Sequence, residues 1–577
     1  MGFKLRLPDR EYLLIFIVSF IGVLIIFRLF FLQIIQHDYY QNLANSEQIK
    51  KLTIPAERGL IYALDKDQPT KLVMNETVYN MFADPKIVDD NDNIVEALKS
   101  IVKEKSQVNV SELLKMKNSR YQIIAKDLTR AEADQIKQKN FKGVGFQSVS
   151  KRVYPENSTA AHLLGFVDID GNGRYGIEGA LDEKLKGKDG LLQSVTDVRD
   201  VPLTIGNKNI KIPKKNGDNI VLSIDKNIQS RVEMAIENGL KRNGAKHIDA
   251  LVMDPYSGFV KAMASSPRYH PAEYNKVKDA AIFNNPIIFK EYEPGSVMKT
   301  MTLALAIDRG FITPATTFLN TDSIKVDDRT ISNSVKGHTG LVSMQDAYTY
   351  SMNTGMVEIM KILGNGEINL SSRKSLYNFL KELGFGKKTG IELDGENSGI
   401  ITAPDVGNGD SVRYSNMSFG QGLDVTMIQF ASAYCTVING GNYYQPSLLA
   451  GIIDNNGDFI QNKPNLKKSN IVSQKTSQTI RDMAIFGRKT YIKAPDPANF
   501  DIGGKTGTSQ VIKNGTYDKT ETIGSYIGFG GNNEPRYVIM VVEYGDNQAI
   551  GGLADAVPVF NEISNWIISY LNLKPRG

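Results

Sequence analysis

Cysteine is almost missing from this chain: Cys435 is the only one in 577 residues. A single thiol excludes an internal disulfide. With five scattered histidines (His37, His162, His247, His270 and His338) it also leaves no Cys/His cluster at metal-ligand spacing. Cys435 lies in an apolar helical run, where a buried small side chain is expected. A large charge of one sign is lacking too. A formal net charge of +5 is mild for this length, and no basic patch is interleaved with aromatics, so nucleic acid is not expected as a partner. No internal repeat and no long low-complexity segment stands out. What remains is ordinary folded composition, 41% hydrophobic and 23% charged, at a length that calls for two or three domains.

One segment, Leu13 to Ile35, has membrane length. About 20 apolar residues span a bilayer, and here Arg28 is the sole interruption; it is expected to face a partner helix or to snorkel. A cleaved signal peptide fits poorly, because the residues that follow, Gln33-Ile-Ile-Gln-His-Asp-Tyr-Tyr40, are bulky and offer no small-residue cleavage site. Lys4, Arg6 and Arg10 precede the segment, and the next basic residues are Lys50 and Lys51. The positive-inside rule therefore predicts a cytoplasmic tail (1–11), an anchor (12–35) and everything after Ile35 outside the cytoplasm.

Residues 36–215 read as a mixed, elongated region. Ile94, Val95, Leu98, Ile101 and Val102 recur at helical spacing, and Thr129-Arg-Ala-Glu132 has capping-box form. His162 and Glu178 could suggest an acid–base pair, but the better reading makes them structural partners of arginines such as Arg58, Arg152 or Arg174. The polar stretch 205–219, broken by Pro213 and Gly217, reads as a linker.

The last domain, 216–577, starts with a strand from Asn219, a helix capped by Asp225, and a hairpin through Pro255-Tyr-Ser-Gly258. Helices are expected from about 296 to about 485. Three antiparallel strands and a final helix around Trp566 follow. Strands at both ends with a helical insertion give an α+β domain: one antiparallel sheet plus a helical lobe.

Three polar clusters fall on this layout. Pro294-Gly295 punctuates the chain just before Ser296-Val-Met-Lys299, so Ser296 stands near a helix N-terminus with Lys299 on the same face. A serine becomes a nucleophile when a base takes its proton, and a lysine can do so if burial and neighbouring positive groups lower its pKa. Ser-x-x-Lys alone is a cheap pattern; it recurs at Ser148–Lys151 and Ser371–Lys374. The second cluster is Ser351-Met-Asn353, in the helical part. The third is Lys505-Thr506-Gly507-Thr508, on a strand after a Gly-Gly pair. Lys388-Thr389-Gly390 repeats the last pattern, but in a glycine-rich polar loop with no strand signal.

The ordered set Ser-x-x-Lys, Ser-x-Asn, Lys-Thr-Gly resembles that of the penicillin-binding proteins, specifically the class B transpeptidases. The likeness extends over nearly all of the chain. Arg58-Gly59-x-Ile61, Arg152-x-Tyr154-Pro155 with His162 and Gly165, and Gly173, Glu178, Leu185 and Gly190 look like the family's pedestal motifs. Ser418-Phe-Gly-Gln421-Gly422 looks like its Gly-Gln-Gly segment. Tyr62-Ala-Leu-Asp65 departs from the family's usual Asp-Arg-Asn-Gly. Glu293-Pro-Gly-Ser296 and Met417-Ser-Phe-Gly-Gln-Gly lean toward the division (septal) branch rather than the elongation branch.

The resemblance implies a D,D-transpeptidase with an anchor, a pedestal or dimerisation-type domain (36–215) and a penicillin-binding domain (216–577). It needs no metal or organic cofactor. Its substrate is a stem peptide ending in D-Ala-D-Ala, and β-lactams acylate it. Ser296 would attack the penultimate D-Ala carbonyl, Lys299 accept the proton, and Ser351 relay it to the leaving D-alanine. Asn353 would orient Lys299 and the substrate amide. Lys505, Thr506, Gly507 and Thr508 would hold the substrate carboxylate, with the N–H groups of Ser296 and Thr508 as oxyanion hole. A membrane glycan polymerase and other divisome (or elongasome) proteins are the implied partners. The competing readings are a carboxypeptidase or β-lactamase, and a β-lactam-binding sensor or structural protein.

Overall fold

The computed structural model describes residues 10–40, 49–195, 210–405, 409–493, 495–513 and 516–576. Two compact units are present, one made of 1–57 with 187–217 and the other of 58–186 with 218–577.

In the first unit, Arg10–Phe30 is a helix that continues as a π turn through Phe31–Ile35. Taken together, Arg10–Ile35 is long and apolar enough to cross a membrane, and none of it is buried. The Arg28 guanidinium stands over the Phe31 ring at 5.8 Å. A three-stranded sheet follows, in which Gly190–Val195 pairs antiparallel with both Ile49–Ile54 and Ile210–Ile212. The stretch expected to be a linker therefore contains a strand. Its isoleucine–lysine–isoleucine alternation is the local signal, and the first part of that stretch lies outside the described residues.

In the second unit, Asn219–Asp225 (β1) leads into Lys226–Asn243 (α1). The Asp225 carboxylate accepts from the N–H groups of Asn227 (2.9 Å) and Ile228 (3.1 Å), and Gly244 ends the helix in the left-handed region. His247–Met253 (β2) and Val260–Ser265 (β3) form the expected hairpin. Asp501–Lys513 (β4), Thr516–Gly531 (β5) and Pro535–Tyr544 (β6) complete an antiparallel sheet of order β3-β2-β6-β5-β4, closed by the helix Val557–Tyr570 (α6). Period-two alternation gives each strand two apolar faces. Ile248, Ala250, Val252, Ile539 and Val541 pack with α1 and α6, while Leu251, Met253, Val538, Met540 and Val542 pack with the helical lobe.

That lobe holds Lys299–Asp308 (α2), Met344–Thr349 (α3), Asn353–Ile362 (α4) and Met427–Ile438 (α5). Every residue of α5 is buried, Cys435 included, and Thr426 with Gln429 makes its capping box.

Two expectations change. First, β1 does not join the five-stranded sheet. It pairs parallel with Ile61–Asp65 and antiparallel with Leu449–Ile453, inside a seven-stranded sheet that takes strands from both sides of the expected domain boundary. Second, the stretch 296–485 is not helical throughout. Thr317–Asn320 pairs with Gly340–Ser343, Ser323–Val326 with Arg329–Ser332, and Tyr443–Tyr444 with Leu466–Lys468. Phe318 and Asn320 are buried while Thr317 and Leu319 are exposed, which is strand alternation, and Asp327-Asp328 supplies the turn.

The Glu178 carboxylate bonds Arg58 (Nε, 2.7 Å) and Arg152 (Nε, 2.7 Å). Arg174 pairs instead with Asp168. His162, expected as an arginine partner, packs edge-on against the Tyr269 ring at 5.5 Å. Burial lowers its pKa to about 4, which keeps it neutral at pH 7.

Candidate active site

Pro294 and Gly295 turn the chain into a short 3-10 segment, Gly295–Met298, that runs directly into α2. Gly295 takes φ +64°, and its N–H donates to Gly420 O at 2.9 Å. A Cβ on Gly295 would stand 2.8 Å from Thr508 O, and one on Gly507 would stand 2.3 Å from Ser525 Oγ and 2.9 Å from Pro294 O. Backbone-to-backbone packing of this kind needs glycine at both positions. It presses the nucleophile turn against β4, the outermost strand of the sheet.

Four side chains meet there. The Lys299 amine donates to Ser296 Oγ (2.9 Å), Ser351 O (2.6 Å) and Ser351 Oγ (3.1 Å). The Lys505 amine donates to Ser351 Oγ (3.0 Å), Thr506 O (3.1 Å) and Thr506 Oγ1 (3.3 Å). Ser351 sits between α3 and α4 with φ +57°, an uncommon conformation for a serine, and this places its hydroxyl and carbonyl toward the lysines. Thr508 is exposed on the strand, and its Oγ1 accepts from Gly552 N at 3.3 Å. Among the described residues no carboxylate pairs with either lysine.

Lys299 is 0% exposed and Lys505 is 4% exposed. Burial, and then the Lys505 charge, push Lys299 well below its usual value, while burial brings Lys505 down to about 7. Burial and the neighbouring Lys505 charge both favour the neutral form of Lys299. The neutral Lys299 amine is then a base in contact with Ser296. The base form is lost as pH falls. The rate at which Ser296 is acylated is therefore expected to rise with pH and to level off well short of 10.5, the ordinary lysine value. A stopped-flow pH profile checks this; a rate still climbing above pH 10 contradicts it.

Asn353 follows two residues after Ser351, at the start of α4, and its Nδ2 donates to Ser332 O at 2.9 Å. The second Lys-Thr-Gly is a loop, as expected, folded around a carboxylate. Thr389 N and Gly390 N donate to Glu396 at 2.6 and 3.0 Å. Sequence reasoning missed Tyr348, whose ring lies 5.9 Å from the Lys505 amine and whose hydroxyl bonds Thr300 Oγ1 at 3.0 Å; no local pattern marks it.

Two family models match the chain. Penicillin binding protein transpeptidase domain covers residues 248–565, and Penicillin-binding Protein dimerisation domain covers 53–222. Stage V sporulation protein D of Bacillus subtilis is 29% identical over 98% of this chain and 86% of its own length. A probable peptidoglycan D,D-transpeptidase PenA of Neisseria meningitidis is 27% identical over 97% and 93%. Among solved structures, penicillin binding protein 3 of Mycobacterium tuberculosis, complexed with aztreonam, superposes with a TM-score of 0.66 at 22% identity, covering 91% of this chain and 98% of that one, a likeness of fold. The chain belongs to the penicillin-binding proteins, in the class B arrangement of a dimerisation domain followed by a transpeptidase domain.

Proposed function

We propose that the chain, as a peptidoglycan D,D-transpeptidase, joins stem peptides through an acyl-enzyme on Ser296. The observation that carries this reading is the 2.9 Å contact between Ser296 Oγ and the buried Lys299 amine. Lys299 takes the hydroxyl proton as Ser296 attacks the penultimate D-Ala carbonyl. Ser351 Oγ, in reach of both amines, passes a proton to the departing D-alanine. Lys505, Thr506 and Thr508 hold the terminal carboxylate, whose charge favours the protonated form of Lys505. Asn353, anchored through Nδ2, keeps its amide oxygen for a substrate N–H. The N–H groups of Ser296 and Thr508 receive the oxyanion. An amine of a second stem peptide then displaces Ser296. With no acid in this network among the described residues to activate water, a β-lactam adduct persists, which disfavours a β-lactamase.

In the same reading, residues 36–215 form the pedestal and 216–577 the catalytic domain. The N-terminal helix anchors the chain with its basic end in the cytoplasm and catalysis outside. Glycan polymerisation falls to a membrane partner, and the Glu293-Pro-Gly-Ser296 pattern favours a septal role. The test uses the full-length chain in detergent with a stem-peptide thioester and a D-amino acid acceptor. Amide product that disappears in Ser296→Ala supports the reading. Hydrolysis alone, with no amide at saturating acceptor, makes the chain a carboxypeptidase instead.

A further inference from the structure

A cavity of about 720 Å³ opens at one end of the five-stranded sheet, next to the turn that carries Ser296. Glu293, three residues before the nucleophile, lines it. So does Gln510, two residues beyond Thr508 on β4 and on the same face as Thr506 and Thr508. The cavity therefore continues the strand edge along which a peptide substrate would add.

Five carboxylates line it against two lysines, Lys246 and Lys290. Glu291, Glu293 and Asp424 all face it, and among the described residues none of the three pairs with a cation. Lys290 is the one lining lysine with no carboxylate partner among the described residues, and it offsets one of the three. Glu521 pairs with Lys513 at 2.6 Å, and Lys246 with Asp546 at 3.2 Å. The Lys290 amine lies over the Tyr544 ring at 3.3 Å. Glu293 is the telling group. It is 6% exposed; Oε1 accepts from Gly422 N (2.6 Å) and Tyr517 OH (3.1 Å), while Oε2 is buried with no partner. Tyr292, the preceding residue, also lines the cavity, and its buried hydroxyl has no partner either. A buried carboxylate oxygen left without a donor is costly unless something fills the place. Burial, and then Asp424, raise the Glu293 pKa, as expected of a carboxylate that lacks its counter-charge. Among the described residues no group of three or more His, Cys, Asp or Glu is arranged to hold a metal ion, which favours an organic cation.

We propose that this cavity binds the side-chain primary ammonium of a stem peptide, with Glu293 and Asp424 as its carboxylate partners. The proposal rests on the transpeptidase reading, in which stem peptides are the substrates and an amine is the acceptor. The same chemistry comes from two sources, the donor stem lying on β4 or the incoming acceptor stem.

The test compares stem peptides whose third-residue side chain carries a free amine or an N-acetylated one, using the full-length chain in detergent. One arm measures kcat/KM for acylation by the two donor thioesters. The other measures how the acyl-enzyme partitions between water and each of two acceptors, distinguished by a free or acetylated amine at a site remote from the reacting one. The free amine is expected to be favoured about tenfold or more in one arm, and Glu293→Gln is expected to reduce that preference below threefold. Glutamine keeps the Oε1 acceptor for Gly422 N. Asp424→Asn carries the same comparison if the first variant does not fold. Lost preference in the acylation arm assigns the cavity to the donor; lost preference in the partition arm assigns it to the acceptor. No preference in the parent, or a preference unchanged in both variants, overturns the proposal. Labelling of Ser296 by benzylpenicillin separates the two failures. If the parent is labelled but shows no amine preference, only the cavity assignment fails; if it is not labelled, the transpeptidase reading itself fails.

Discussion

Replacing Lys299 by methionine is expected to slow acylation of Ser296 by about 10²- to 10⁴-fold, the usual worth of a positioned general base. Methionine fills a similar volume and removes a fully buried amine, so the fold should survive the change. Ser351 Oγ keeps its bond from Lys505 at 3.0 Å, so the rest of the network has no reason to collapse. What disappears is the acceptor for the Ser296 proton. Stopped-flow acylation by a chromogenic β-lactam reads the effect directly. A loss smaller than tenfold would mean that another group, such as Ser351 in the same hydrogen-bonded network, takes the proton instead.

Glu178→Ala is expected to be the most damaging change away from the chemistry. The Glu178 side chain is 0% exposed and accepts from two guanidinium groups that are themselves largely buried, Arg58 and Arg152. Its loss leaves two buried cations, with Asp182 still pairing Arg58 at 2.6 Å but, among the described residues, no acid for Arg152. Breaking a buried ion pair on one side costs about 3–5 kcal/mol, because the surviving charge stays desolvated. Unfolding in guanidinium chloride, followed by tyrosine fluorescence, should show the midpoint fall by that equivalent. Arg58 also donates to Glu178 O, and Arg152 to Gly59 O and Asn75 Oδ1, so the arginines cannot simply swing out to water without undoing backbone contacts. A midpoint shift below 1 kcal/mol would show that they do.

Much of the site was legible because it depends on local periodicity. Three residues of helical rise put Lys299 over Ser296 whatever the tertiary context, and Gly503-Gly504 ahead of Lys505 marked a strand that must run close to its neighbours. Ser351 was legible only as part of a pattern. Its left-handed backbone, which turns both its oxygens to the lysines, leaves no trace in composition. The bond from Asn353 Nδ2 to Ser332 O was not legible, because the hairpin of Ser323–Val326 with Arg329–Ser332 is a short pairing inside a stretch that otherwise reads as helix. The pairing of β1 with Ile61–Asp65 was hidden for a related reason: which strands meet is a long-range matter, and the periodicity of each fits either sheet. Glu293 was visible as a motif residue that hints at a branch of the family. That its Oε2 lies buried and unpartnered is a property of the folded packing alone.

The most direct test is the intact mass of the full-length chain, in detergent, after incubation with benzylpenicillin, beside the Ser296→Ala variant. A stable one-to-one adduct on the parent, mapped to the peptide that contains Ser296 and absent from the variant, is the predicted result. An adduct that persists in Ser296→Ala, or rapid turnover of the antibiotic with no adduct on the parent, would contradict the assignment of Ser296 as the acylated nucleophile of a transpeptidase.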